Sequence, residues 1–392
     1  MKTMLFVLLL VLALSACAVP SVPAGVQTPL ASHQTVVPTE APTLTPMDTA
    51  ATPSALTAAA ATATPDPMQL SADLDKTFQD MSTANQFSGS VLIAKDGRVI
   101  LSKAYGFANR EKNIPNTVQT KFRIYSMTQQ FTAMAILLLQ QQEKLNVKDK
   151  LCTYLSGCPE SWKPITIHQL LTHTSGIPEN LDTSSVQDVT SSAPLEKMIA
   201  DAKTQPLENQ PGVWFNYENM DYVLLGKIIE AVSGQSFESF LQQNIFDPLK
   251  MSNTGYDHNQ TDLAIGYVDQ TATAAPLNMW LMFSAAGLYS TVEDLYRWDQ
   301  ALNTNELLPQ KTSDLMFTSY VQSDREGYGY GYGWYISLDK PLIQKHPGHG
   351  NGFDTTIRRY VDDKVTMIIL TNREDNDMPN IADSIAKKLL GK

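Results

Sequence analysis

At 392 residues, 43% of them hydrophobic, the chain is long enough to bury the core of one large domain. Its formal net charge is -11, and no basic cluster offsets it, which excludes a nucleic-acid partner. No His, Cys or carboxylate cluster has metal-ligand spacing, so neither a metal nor a cofactor is expected.

The chain opens MKTMLFVLLLVLALSAC. Lys2 supplies a positive start, and Leu5 to Leu14 form an apolar run. That run falls short of the roughly 20 residues needed to span a bilayer but has the length of a signal-peptide core. Leu14-Ser15-Ala16-Cys17 resembles the bacterial lipobox, which implies lipidation at Cys17 and a protein exported and lipid-anchored to the cell membrane on its extracytoplasmic side. The expected division is a signal peptide over 1–17, a disordered linker over 18–68 and a folded domain over 69–392. The linker is rich in Pro, Thr and Ala and carries almost no charge, so it cannot bury enough surface to offset its ordering entropy. Its prolines make it a semi-stiff spacer.

Within the domain, Leu70 to Met81 has helical spacing of apolar residues. Two β-rich runs, Gly89–Ala94 and Arg98–Leu101, flank Lys95-Asp96-Gly97, and Asp-Gly between such runs signals a hairpin. An apolar helix is predicted to begin around Ser126 and to run through Leu139. Cys152 and Cys158 lie in a turn-like stretch, and export favours a disulfide between them. Helical patterns recur in the middle of the chain, at Tyr222 to Val232 and Phe237 to Asn244. The end returns to strands at Gly333–Ile336, Asp354–Tyr360 and Val365–Leu370, then closes with a helix over Ile381–Leu390. This order predicts an α+β fold, an antiparallel β-sheet flanked by helices with an inserted all-helical lobe.

Chemistry concentrates at Phe122-Arg123-Ile124-Tyr125-Ser126-Met127-Thr128-Gln129. A serine at a helix N-terminus benefits from backbone N–H groups that favour developing negative charge. Read alone, Ser126 serves equally as an N-cap. Two further elements follow: Tyr217-Glu218-Asn219, in the form Y-x-N, and His346-Pro347-Gly348, in the form H-x-G.

Together these stretches resemble the nucleophile, Y-x-N and third motifs of the serine β-lactamase-related and penicillin-binding-protein-like family, the group that includes class C β-lactamases, esterases and D-peptidases. The resemblance extends over essentially everything after residue 70 and implies the β-lactamase/transpeptidase-like fold. It implies that Ser126 attacks a carbonyl and is acylated, that Tyr217 exchanges protons with it, that Asn219 positions substrate, and that His346 orients the tyrosine or the substrate. Gly348 and His349 would line the substrate edge, and the backbone N–H groups of Ser126 and His349 would form the oxyanion hole. His173 and the Tyr328, Tyr330 and Tyr332 run read as structural.

The chain departs from the family at Gln129, where the S-x-x-K lysine is expected. A glutamine amide neither sheds nor accepts a proton, and losing a general base costs about 10²–10⁴-fold in rate. Tyr125 replaces a customary glycine, and Glu218 adds a carboxylate beside Tyr217. The expectation is a serine hydrolase, acting as a monomer on a small-molecule or peptide ester or amide, with activity reduced by Gln129. The alternatives are a ligand-binding pseudoenzyme at the cell envelope and a cell-wall transpeptidase or carboxypeptidase.

Overall fold

The computed structural model describes residues 67–179 and 191–391. The signal segment, Cys17 and nearly all of the predicted linker lie outside these residues.

In chain order the elements that frame the site begin with helix α1, Pro67–Thr83, and the hairpin strands β1, Gly89–Lys95, and β2, Arg98–Tyr105. Helices α2, Thr128–Gln141, α3, Ile167–Leu171, α4, Asn219–Ser233, and α5, Met279–Ala286, form the body of the helical lobe. Strands β3, Val321–Gln322, β4, Tyr328–Tyr330, β5, Tyr335–Ser337, β6, Ile343–Gly350, β7, Phe353–Tyr360, and β8, Val365–Thr371, precede the closing helix α6, Met378–Leu390. The eight strands form one antiparallel sheet in the order β2-β1-β8-β7-β6-β5-β4-β3.

The hairpin turns at Asp96 and Gly97, both with positive φ (50° and 72°). That is the backbone a two-residue primed turn requires, and Asp-Gly supplies it at low steric cost. Beyond the hairpin the central strands alternate strictly. Val91, Ile93, Met367 and Ile369 join Leu74 and Phe78 of α1 and Ile385 of α6 in one core. Leu92, Ile368 and Leu370 face the other way, into the core shared with α2 and the lobe. Both faces are covered, so these strands read as continuous apolar runs rather than as alternating ones.

Helix α2 is buried from Thr128 to Leu139, which makes it the axis of the lobe. Thr166 and Gln169 form a capping box on α3, and Gly234, at φ 71°, ends α4 in the left-handed conformation. Helices α4 and α5 meet closely enough that a Cβ on Gly226 would stand 2.0 Å from the Ser284 hydroxyl. Cys152 and Cys158 are joined, with Cα atoms 5.9 Å apart. No helix among the described residues is long and apolar enough to cross a membrane.

Three predicted boundaries are corrected. Helix α1 starts at Pro67, so the last two positions assigned to the linker are helical. The helix predicted over Phe237–Asn244 is α-helical only to Leu241 and continues as a π-turn, Gln242–Phe246. Gly333 is not in a strand, because its φ of 75° turns the chain against the backbone of Gln129 before β5 begins.

Candidate active site

The serine turn is held between two sheets. Phe122–Arg123 pairs with Leu288–Ser290, a short strand of the lobe, and then the chain swings past Ile124. Ser126 lies in a single 3₁₀ turn, Tyr125–Met127, that leads into α2. It is therefore not the cap of that helix: the N-cap position is Met127, and no side chain caps it.

Tyr125 has a φ of +43°, a left-handed conformation that costs an ordinary residue about 1–2 kcal/mol and glycine almost nothing. Its ring offsets this by burial. It is 3% exposed, lies 6.2 Å from the Phe353 ring, and sits where a Cβ on Gly350 would come within 3.2 Å of its edge. Burial also pushes the Tyr125 hydroxyl up to about 12. Position 125 thus carries a buried aromatic side chain, and the missing Cβ of Gly350 leaves room for its ring.

Strand β6 runs against this turn. A Cβ on Gly348 would stand 1.9 Å from the Ile124 carbonyl oxygen, so only glycine lets the strand approach so closely. Strand β5 pairs with Lys345 and Gln344 only, which leaves Pro347–Gly350 as an open edge beside Ser126. Proline has no N–H to donate, and an open edge is where a strand tolerates it.

Around Tyr217 the hydrogen bonds run in one direction. The Glu218 backbone N–H donates to His173 Nδ1 (3.2 Å), which makes His173 Nε2 the protonated nitrogen. His173 Nε2 donates to Gln129 Oε1 (3.1 Å), and Gln129 Nε2 donates to the Tyr217 oxygen (2.6 Å). Ser126 lies close enough to Tyr217 to act on its hydroxyl. With a donor already on its oxygen, Tyr217 can direct its own proton toward the serine or a leaving group. Burial raises the Tyr217 hydroxyl well above its usual value, against smaller opposing contributions from Ser126 and Gln129, so it is a neutral phenol.

Tyr330 closes the network. Its hydroxyl is 2.9 Å from Gln129 Oε1 and 3.1 Å from His346 Nε2. His346 donates from Nδ1 to the Pro347 carbonyl (2.7 Å), so both of these partners of Tyr330 are acceptors competing for one proton. Burial pulls His346 down to about 3, which keeps it neutral. His346 is thus wired to Tyr330 rather than to Tyr217, whose ring centre is 6.3 Å away.

On its other side Tyr217 borders acids. Glu218 is buried, and its Oε1 accepts from the Asn216 amide (2.6 Å), which also reaches Glu208 (2.7 Å). Burial, with Glu179 and Glu208 nearby, raises Glu218 to about 8. Asn219 opens α4, and both its backbone N–H (2.7 Å) and its side-chain amide (3.2 Å) donate to Glu179. Asp221 lies 3.5 Å from His173, but burial pushes the acid well up and the imidazole well down, so this is a neutral contact rather than an ion pair. His349 is exposed and faces Asp354 and Glu374, at 3.9 and 3.6 Å.

The structure thus gathers Ser126, Gln129, Tyr217 and His346 around one point, with Gly348 against the serine turn. It adds His173 and Tyr330, which sequence reasoning set aside as structural. Tyr330 belongs to the Tyr-Gly repeat, but nothing in that repeat tells the tyrosine in the network from Tyr332, whose hydroxyl bonds to His168 (2.7 Å). No group of three or more potential metal ligands occurs among the described residues.

Residues 74–392 match the family model described as Beta-lactamase. The chain is 28% identical to penicillin-binding protein 4* of Bacillus subtilis (strain 168), over 77% of this chain and 72% of that protein. Among solved structures it is similar to the octameric penicillin-binding protein homologue from Pyrococcus abyssi, with 29% identity and a TM-score of 0.71 over 83% of this chain and 77% of that one. It also resembles the penicillin-binding protein of Bacillus halodurans, with 27% identity and a TM-score of 0.71 over 78% and 98% of the two chains. With that family model matched over residues 74–392, on a sheet flanked by this helical lobe, the chain belongs to the beta-lactamase family.

Proposed function

We propose that the protein is a serine hydrolase that cleaves an ester or amide through an acyl-Ser126 intermediate. The observation that carries this reading is the chain of hydrogen bonds that ends on Tyr217, beside Ser126, with every member neutral. A lysine in place of Gln129 would favour tyrosinate as the base. Without it, Tyr217 serves as a neutral shuttle. Its oxygen takes the Ser126 proton as Ser126 Oγ bonds to the carbonyl carbon, and its own proton passes to the leaving group, so no tyrosinate accumulates. Water then attacks the acyl-serine by the reverse relay, releasing the acid and restoring the serine. Backbone N–H groups of Ser126 and His349 are the oxyanion donors of this reading, where one donor is worth about 10²–10³ in rate.

We place the protein at the cell envelope, exported by its signal segment and held by lipid on Cys17, with 18–66 as the spacer. A Cys17→Ser variant that still partitions with membranes would remove that placement. The central experiment is intact-mass analysis after incubation with a fluorophosphonate, together with p-nitrophenyl ester turnover, for wild type and Ser126→Ala. An adduct on Ser126 and turnover lost in the alanine variant are expected. A neutral amide in the lysine's place also supports a second reading, a ligand-binding pseudoenzyme. Binding of an ester without adduct or turnover would select it.

A further inference from the structure

The two oxyanion donors of the hydrolase reading belong to elements far apart in the chain, Ser126 to the serine turn and His349 to β6. Their separation is set by what packs between those elements. His349 stands between two glycines that face consecutive residues of the turn. Gly348 lies against the Ile124 carbonyl, as described above. At Gly350 the three atoms nearest a Cβ would all be Tyr125 ring atoms, at 3.2, 3.4 and 3.6 Å. Gly350 is the register partner of Phe353, so the pair closes the end of the β6–β7 hairpin, and the Tyr125 ring packs on both. On its far side the hairpin tip is tied by hydrogen bonds. The Asn351 amide donates to the Ala275 carbonyl (2.9 Å), the Gly352 N–H donates to Glu374 (2.8 Å), and the Gly352 carbonyl accepts from the Tyr267 N–H (3.2 Å).

Tyr125 bears on both donors. Its ψ sets the plane of the peptide that carries the Ser126 N–H. Its φ of +43° is a left-handed value that residues with a Cβ avoid, and such outliers cluster where geometry serves function. The buried Tyr125 oxygen has no hydrogen-bond partner among the described residues, so shape rather than a polar contact holds the ring in place.

We propose that Tyr125 is a positioning residue. Its ring, wedged between the serine turn and the Gly350–Phe353 end of the hairpin, fixes the separation of the Ser126 and His349 N–H groups. The inference rests on the serine-hydrolase reading, which supplies the oxyanion. Misplacing a group at such a site by about 1 Å costs on the order of 10²-fold in rate.

The test is a double-mutant cycle on ester turnover, with wild type, Tyr125→Gly, Gly350→Ala and the double variant, and with Tyr125→Phe beside it. Glycine accepts the left-handed backbone, so Tyr125→Gly removes the ring without adding strain. Its kcat should fall about ten- to a hundredfold with KM within about threefold, because the donors act on the transition state. Gly350→Ala sets a methyl 3.2 Å from the ring and should also lower kcat. The alanine backbone is strained at φ 149° in either background, so that cost cancels in the cycle. With the ring gone the methyl has room, and the double variant should lose less than the product of the two single losses. Tyr125→Phe keeps the ring and drops the unpartnered oxygen, so its kcat should stay within about threefold of wild type. Full kcat in Tyr125→Gly, losses that multiply strictly, or a loss in Tyr125→Phe as large as in Tyr125→Gly would overturn the proposal. If wild type cleaves no ester, the hydrolase reading fails separately, and backbone amide exchange decides the positioning. Exchange over 345–353 faster by about tenfold in Tyr125→Gly, with 89–105 unchanged, supports it, and equal exchange over 345–353 overturns it.

Discussion

The two sides of Tyr217 are built on opposite principles. Toward α2 its neighbours are neutral and hydrogen-bonded, with Gln129, His173, Tyr330 and His346 sharing a fixed set of protons. Toward α4 the neighbours are carboxylates, Glu179, Glu208 and Glu218, of which Glu218 is buried with its Oε2 unpartnered. A buried network is stable when each polar atom has a partner, and a buried charge without one is costly. The first side is accordingly a rigid relay indifferent to pH near neutrality, and the second is where pH acts. Gln129 is a wired amide whose two ends serve different partners, which a lysine could not do.

The largest effect is expected at Tyr217 itself. Tyr217→Phe keeps the ring and removes the shuttle, and ester turnover should fall about 10³-fold, within the range for general acid–base groups. Turnover retained within tenfold would mean that the proton leaves Ser126 by another route.

Gln129→Lys probes the neutral side next. An ammonium can donate to Tyr217 and favour tyrosinate, so hydrolysis should rise about ten- to a hundredfold. The same ammonium cannot accept from His173 Nε2, and that buried donor loses its partner. The variant should therefore unfold more easily, by about 1–3 kcal/mol in denaturant titration. A rate gain without a stability loss would show that His173 does not depend on Gln129.

Glu218→Gln probes the acidic side. The folded protein holds Glu218 at about 8, above its ordinary 4.5, so the native state retains a proton that the unfolded chain has lost between those values. Stability from this group is full below about pH 4.5 and is lost as pH rises through about 8. Wild type should lose about 1–3 kcal/mol across that interval and Glu218→Gln markedly less, a shift of about 1.4 kcal/mol per pKa unit setting the scale. Equal slopes would mean that the acids are solvated.

The smallest effect is expected for Tyr330→Phe. His346 Nε2 loses its donor, while Gln129 Oε1 keeps His173. A destabilisation of about 1 kcal/mol and a rate change below tenfold should follow. A larger rate loss would move Tyr330 from support into the relay.

Local patterns in the chain already determined a good deal. The Asp96-Gly97 turn, the apolar run after Ser126, the strands around Val91 and Ile368, and the order of the serine, Y-x-N and H-x-G elements are each set by residues close together. Turn chemistry, periodicity and motif spacing act over a few residues, so a sequence displays them. Tertiary structure alone decided what those residues face. Gln129 meets Tyr217 from 88 positions away and Tyr330 from 201, contacts that no periodicity encodes. For the same reason His173 reads as a loop residue until its ring is seen 4.4 Å from Tyr217. Burial and partner identity belong to the packed chain, and they turn Gln129 from a missing lysine into the amide that orients Tyr217.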